Sequence, residues 1–298
     1  MDPRIQEHAE IIVDHSVDVQ EGDNVVVSAS PAAEDLVVAL YEKLGERGAH
    51  PTTTMGSSRA SRALMRAMDA EDFELPDHQM ALTEEADVFI SIRASENVNE
   101  TGDVDPEKNA ARGKAMQPLQ DEVMDKRWIG TQHPASGNAQ KAEMSTAAYE
   151  DFVYEAVNKD WAAQREFQEN LVEIIDEGSD VRIVSGDTTD LTMSIEGNVA
   201  ENDYAEKNLP GGEVFTAPVP DSVAGEVLFD KPLITQGREV EDVYLRFEGG
   251  EVVEHAAAKN EEVLTASLDT DEGARRLGEL GIGMNRDIDQ FTYNMLFD

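Results

Sequence analysis

Strand-like and helix-like segments alternate through the first half of this chain, and that alternation most constrains its fold. Short apolar or β-branched runs at 24–29, 51–55, 87–92 and 127–131 are typical of strands. The segments between the runs carry apolar residues at helical spacing, at about 31–44, 57–68 and 106–125. Because parallel strands need crossover connections of about this length, the pattern predicts a parallel sheet flanked by helices.

The pattern changes after a long helical stretch at about 146–177. Beyond Gly178, short strand-like runs follow one another closely, and Glu248-Gly-Gly-Glu251 has the composition of a hairpin turn. A short helix is expected at 271–277. The strand-like runs lie at 181–184, 191–195, 214–217, 227–229 and 243–247.

The predicted fold class is therefore an α/β N-terminal domain (a parallel sheet flanked by helices) followed by a β-rich α+β C-terminal domain. The change of pattern places the boundary near residue 175. The predicted domains are residues 1–175 and residues 176–298, and the second would be the metal-site domain.

The charge of the chain is extreme. There are 24 Lys and Arg against 63 Asp and Glu, so the formal net charge is 24 − 63 = −39. The acidic residues recur along the whole sequence, and the basic footprint of a nucleic-acid-binding protein is missing, so we expect no nucleic-acid partner. Self-repulsion of this size disfavours the compact state in dilute buffer and is screened at molar salt, which favours a salt-rich cytoplasm as the setting.

Several classes of chemistry lack their sequence motifs. The chain has no cysteine, so thiol catalysis and cysteine-ligated zinc are excluded. It contains no G-x-G-x-x-G after the first strand, no P-loop, no H-E-x-x-H and no G-x-S-x-G. No apolar run reaches the length of a membrane span, and the N-terminal residues do not resemble a signal peptide, so we expect no membrane partner.

Two glycine-rich segments each carry one glutamate. They are Asn208-Leu-Pro-Gly-Gly-Glu213-Val-Phe-Thr-Ala-Pro218 and Leu277-Gly-Glu279-Leu-Gly-Ile-Gly-Met-Asn285. Glycine permits tight turns and close backbone approach, which suits a metal-binding carboxylate but also suits an ordinary surface loop. The residues alone leave both readings open.

The two segments resemble the motifs of the thermophilic-type metallo-aminopeptidases, the family of aminopeptidase T and aminopeptidase S. The spacing of Glu213 and Glu279, 279 − 213 = 66 residues, also resembles that of the family, and the segments 9–27, 139–145 and 186–191 are similar to it as well. The resemblance implies that both glutamates bind a catalytic pair of divalent ions (zinc, cobalt, manganese or magnesium). It further implies peptide substrates, a homodimer and a cytoplasmic location.

One departure from the family pattern leaves alternatives open. The family continues past a segment like Leu296-Phe-Asp298 into a motif whose histidines complete the metal site, and no histidine of this chain matches it. A chain ending at Asp298 would then bind metal weakly and be nearly inactive, as a truncated family remnant or scaffold. A third hypothesis is that the α/β half binds a small ligand unrelated to peptides. No residue is assigned as a catalytic acid or base.

Overall fold

The computed structural model describes residues 1–235 and 238–298, which divide into two compact units. Unit 1 comprises Met1–Trp161, Tyr204–Gly211 and Asn285–Asp298. Unit 2 comprises Ala162–Asp203 and Gly212–Met284.

Unit 1 is built on a five-stranded parallel sheet. Its strand order is β2-β1-β3-β4-β8, and every neighbouring pair is parallel. This confirms the predicted parallel sheet. The strands are β1 (Asn24–Ala29), β2 (His50–Met55), β3 (Val88–Arg93), β4 (Arg127–Gln132) and β8 (Asn208–Leu209).

Helices connect these strands, and local sequence sets their ends. The Asp2 side chain caps the first helix, which begins at Pro3, and Gly48 closes the second with a left-handed φ of 74°. The helices are α1 (Pro3–Glu10), α2 (Glu34–Arg47), α3 (Ser58–Ala67), α4 (Asp77–Glu84), α5 (Pro106–Met124), α6 (Ser136–Lys141) and α7 (Thr146–Val157). A π-helical turn at Ile11–Ser16 and 3₁₀ turns at Pro31–Ala33 and Ala70–Asp72 complete the connections.

Unit 2 is mainly antiparallel. One sheet has the order β14-β13-β10-β6-β5, a second β15-β9-β7, and β11 pairs with β12. Gly249 and Gly250 form the tight turn between β13 and β14, where the sequence predicts a hairpin. The elements are α8 (Trp161–Asp176, entering from unit 1), β5 (Asp180–Ser185), β6 (Thr189–Ser194), β7 (Glu201–Asp203), β9 (Glu213–Thr216), β10 (Ala224–Phe229), β11 (Leu233–Thr235), β12 (Arg238–Val240), β13 (Val243–Glu248), β14 (Glu251–Ala256), α9 (Glu261–Leu268) and β15 (Leu280–Gly283).

Two local predictions differ from the structure. The helix expected at 271–277 is wrong, because the Asp271 carboxylate accepts hydrogen bonds from the backbone N–H groups of Gly273 and Ala274 and folds the segment into a turn. The helix of this region lies earlier, at Glu261–Leu268. The long helical stretch is two helices, because the backbone of Asn158 (ψ 79°) leaves the helical region.

The division into units also differs from the predicted boundary near residue 175. The first division falls between Trp161 and Ala162, and two later segments return to unit 1. Tyr204–Gly211 belongs to unit 1 because β8 pairs with β4. A strand of two residues is too short to have a recognisable sequence pattern, so this pairing could not be predicted. Asn285–Asp298 also returns, and Asn285 is buried against the backbone of Ala156.

In the two described ranges of the chain, no helix combines the length and the apolar character needed to cross a membrane.

Candidate metal centre

Glu213 is the first residue of β9, and its side chain points away from the core of unit 2. Val214 and Thr216 of the same strand are buried, whereas Glu213 and Phe215 are half-buried. Since successive side chains of a strand point to opposite faces, the carboxylate lies on the less buried face of β9. The sequence Pro210-Gly-Gly comes directly before the strand.

Glu279 comes directly before β15, the neighbouring strand in the same sheet. The antiparallel register pairs Gly283 with Glu213 and Gly281 with Phe215. Alternation along β15 then puts residues 279, 281 and 283 on the face that carries Glu213, while Leu280 is buried on the other side. The structure therefore brings the two predicted glutamates to one face of two adjacent strands.

The electrostatics of Glu213 reflect this arrangement. Burial raises the pKa of the Glu213 carboxyl above its usual value, and the negative charge of Glu279 raises this pKa further. The half-buried Glu213 carboxylate and the exposed Glu279 carboxylate repel each other, which favours an added cation that would neutralise both.

Gly281 provides the space that the Glu213 carboxylate occupies. A Cβ atom added at Gly281 would lie 2.0 Å from Oε1 of Glu213, a distance that no non-bonded pair tolerates. At Gly283 a Cβ would meet nothing within 4 Å. The first of these glycines is therefore needed for the position of the carboxylate, and the second is not.

The backbone beneath the site is held by a buried amide that sequence reasoning missed. Gln168 of α8 is fully buried, and its Nε2 donates to the carbonyl oxygens of Asp203 (3.0 Å) and Glu213 (3.2 Å) and to Oδ1 of Asn202 (2.6 Å). A glutamine within an otherwise amphipathic helix gives little indication of such a role. Its one sequence feature is its place on the apolar face of α8, seven residues before the buried Ile175.

The last residue of the second motif, Asn285, anchors the chain within unit 1. Its Nδ2 donates to the carbonyl oxygens of Ala156 (3.0 Å) and Gly211 (3.3 Å), and its Oδ1 accepts from Nζ of Lys159 (2.6 Å). Gly211 is the last residue before the chain re-enters unit 2 and Asn285 is the first residue after it leaves, so this hydrogen bond joins the two ends of the segment that carries both glutamates.

The donor chemistry of the site suits part of a divalent-metal ligand set. Two carboxylates supply oxygen ligands that magnesium, manganese and zinc all accept. Within residues 1–235 and 238–298, no cluster of three or more His, Asp or Glu side chains is placed to hold a metal ion. The histidines lie elsewhere; the two buried ones, His8 and His133, are in unit 1, and His255 of unit 2 contacts Thr265.

The parallel sheet of unit 1, the antiparallel sheets of unit 2 and the paired carboxylates together describe a candidate metallohydrolase. Comparison with protein families places it more narrowly. The family described as thermophilic metalloprotease (M29) matches residues 1–298, and the chain belongs to that family. Its class of activity is therefore that of a hydrolase.

Characterised relatives bear aminopeptidase names. Aminopeptidase AmpS of Bacillus subtilis is 28% identical over 334 aligned positions, covering 99% of this chain and 81% of that protein. Aminopeptidase T of Thermus aquaticus is 46% identical over 106 residues, a match that spans 33% of this chain and only 26% of that protein. The solved structure of AmpT from Thermus thermophilus superposes with a TM-score of 0.87 at 26% identity, covering 99% of this chain and 83% of that one.

These comparisons confirm the family resemblance seen in the sequence, and the fold class with it. Membership of a metalloprotease family also makes divalent metal ions the expected cofactors. The assignment of Glu213 and Glu279 as metal ligands stays a prediction.

Proposed function

We propose that this protein is an aminopeptidase that releases N-terminal amino acids from peptides, with Glu213 and Glu279 as two of its metal ligands. The observation that carries the proposal is the meeting of the two motif glutamates on one face of β9 and β15. Burial, and then the charge of Glu279, raise the pKa of Glu213 there. The names of the relatives, aminopeptidases T and S, support the reaction.

The proposed cofactor is a pair of divalent ions, zinc, cobalt, manganese or magnesium. When bound, such ions lower the pKa of a water molecule and polarise the scissile carbonyl group. The chain's own contribution is to hold two carboxylates at the less buried face of the sheet and to fix the backbone of Glu213 through Gln168. Gly281 leaves the Glu213 carboxylate free to lie across the neighbouring strand.

The alternative of a catalytically inactive remnant is less well supported, because both motif glutamates are present and keep their common face. No specific observation supports a small-molecule binding role for unit 1.

The setting is part of the same proposal. The net charge of −39 supports a salt-rich cytoplasm, and it argues against nucleic acid and anionic membrane surfaces as partners. Peptide substrates and a homodimer are proposed from the family resemblance.

The test uses the protein expressed from its complete natural reading frame in molar KCl. Hydrolysis of an aminoacyl p-nitroanilide should require divalent metal and a free α-amino group, and Glu279→Gln should reduce kcat by at least about 100-fold because a metal ligand is lost. Glu272→Gln is the matched control, since Glu272 is an exposed carboxylate seven residues earlier in unit 2. Metal-independent cleavage, or equal activity in Glu279→Gln and the control, would overturn the proposal.

A further inference from the structure

Two glutamines of α8 form hydrogen bonds with the ends of all three strands in the sheet that carries the candidate site. Nε2 of Gln168 reaches the carbonyl oxygens of Asp203, the last residue of β7, and of Glu213, the first residue of β9. Nε2 of Gln164 donates to the carbonyl oxygen of Met284, one residue beyond β15, at 3.2 Å. Every strand of the β15-β9-β7 sheet is thus held at the same end.

The two amides also bind each other. Nε2 of Gln164 donates to Oε1 of Gln168 at 2.7 Å, which leaves both Nε2 protons of Gln168 for the strands. Asn202 of β7 accepts from Gln168 and in turn donates to the carbonyl oxygen of Arg165 and to Oε2 of Glu169 on α8. The polar groups of Gln168 are therefore fully used, as a buried amide requires.

The burial of Gln168 indicates that its amide has a specific structural role. It is fully buried on the face of α8 that otherwise carries Leu171, Val172 and Ile175, where an apolar residue would complete the core without hydrogen bonds. Burying an amide is favourable only when its partners are placed accurately, so a saturated network of this kind selects one arrangement of the backbone. The backbone of Glu213 is part of the arrangement that this network stabilises.

We propose that Gln168, supported by Gln164, is a positioning residue for divalent-metal binding. It fixes the carbonyl group of Glu213 and hence the start of β9, so that the Glu213 carboxylate lies over Gly281 on the face shared with Glu279. This inference rests on the proposed function, because it concerns the same pair of carboxylates. Groups that orient ligands in this indirect way typically change metal affinity by about 10- to 100-fold when they are removed.

The first experiment measures Mn²⁺ affinity by calorimetry in molar KCl. Gln168→Met keeps the length of the side chain and removes its donors, and the dissociation constant for Mn²⁺ should rise by about 10- to 100-fold. The matched control is Asn170→Leu. Asn170 is an exposed amide of the same helix whose Nδ2 donates to the helix carbonyl oxygens of Glu166 and Phe167, and this variant should bind Mn²⁺ as the natural protein does.

The second experiment separates positioning from general damage to the fold. In a Glu213→Gln background, Gln168→Met should cause no further loss of Mn²⁺ affinity, because the residue through which it acts has already lost its charge. If Gln168→Met does not fold, Gln164→Met replaces it. Gln164 is only half-buried, and this variant frees Oε1 of Gln168 and the Met284 carbonyl oxygen, so affinity should fall in the same direction by a smaller factor.

The outcomes distinguish the two proposals. Equal Mn²⁺ binding by the natural protein and Glu213→Gln would overturn the metal site itself. Weaker binding by Glu213→Gln with unchanged binding by the glutamine variants would overturn positioning alone. Losses that add in the double variant would show a general structural effect and would also overturn positioning.

Discussion

At the scale of single residues, the site depends on a glycine as much as on its carboxylates. Gly281→Ala would bring a Cβ to 2.0 Å from Oε1 of Glu213, so the carboxylate must move away from its place over β15. The displaced atom is the end of a flexible side chain, so the free energy of unfolding should change by no more than about 1 kcal/mol. The affinity for Mn²⁺ should fall by about tenfold or more, measured by calorimetry.

The control for this prediction is Gly283→Ala on the same face of the same strand. A Cβ there meets nothing within 4 Å, so both Mn²⁺ affinity and stability should stay unchanged. Equal losses of affinity in the two alanine variants would show that the close approach of Gly281 to the carboxylate does not matter.

At the scale of elements, the hairpin between β13 and β14 depends on one of its two turn glycines far more than on the other. Both have positive φ, 58° at Gly249 and 83° at Gly250. A Cβ at Gly250 would also lie 1.8 Å from the carbonyl oxygen of Pro220, a backbone atom that cannot move aside. Gly250→Ala should therefore lower the free energy of unfolding by about 3 kcal/mol or more, from left-handed strain and overpacking together.

Gly249→Ala supplies the comparison in urea unfolding. Its Cβ has open space, so only the left-handed backbone cost of about 1–2 kcal/mol applies. Similar unfolding midpoints for the two variants would contradict the packing argument.

The elements also show which parts of the fold can be predicted from sequence patterns. The strand predicted at 24–29 is β1 with the same bounds, because β-branched runs between turn residues report directly on buried parallel strands. The two-residue strand β8 is too short for any periodicity, yet its pairing with β4 brings Tyr204–Gly211 into unit 1. Local composition missed the Asp271 turn as well, because one side chain competing for backbone N–H groups outweighs modest helix propensity.

The same limit applies to the candidate site. The glycine-flanked motifs pointed to Glu213 and Glu279 through family resemblance, and their common face emerged only from the β9–β15 register. Gln168 had no motif at all, since its role consists of three hydrogen bonds to residues 34 to 45 positions further along the chain.

At the scale of the whole molecule, the net charge of −39 should make folding depend on salt. The screening length is about 10 Å at 0.1 M salt and about 3 Å at 1 M, so repulsion between neighbouring surface carboxylates persists until molar concentrations. The melting temperature, followed by circular dichroism, should fall steadily as KCl is lowered from 2 M to 20 mM.

Removing negative charge should weaken this dependence on salt. Glu71, Asp72 and Glu74 are exposed and form no ion pair among the described residues. The triple variant Glu71→Gln, Asp72→Asn and Glu74→Gln should therefore raise the low-salt melting temperature and leave the high-salt value nearly unchanged. A melting temperature that stays constant across the KCl range would show that charge repulsion does not limit the stability of this protein.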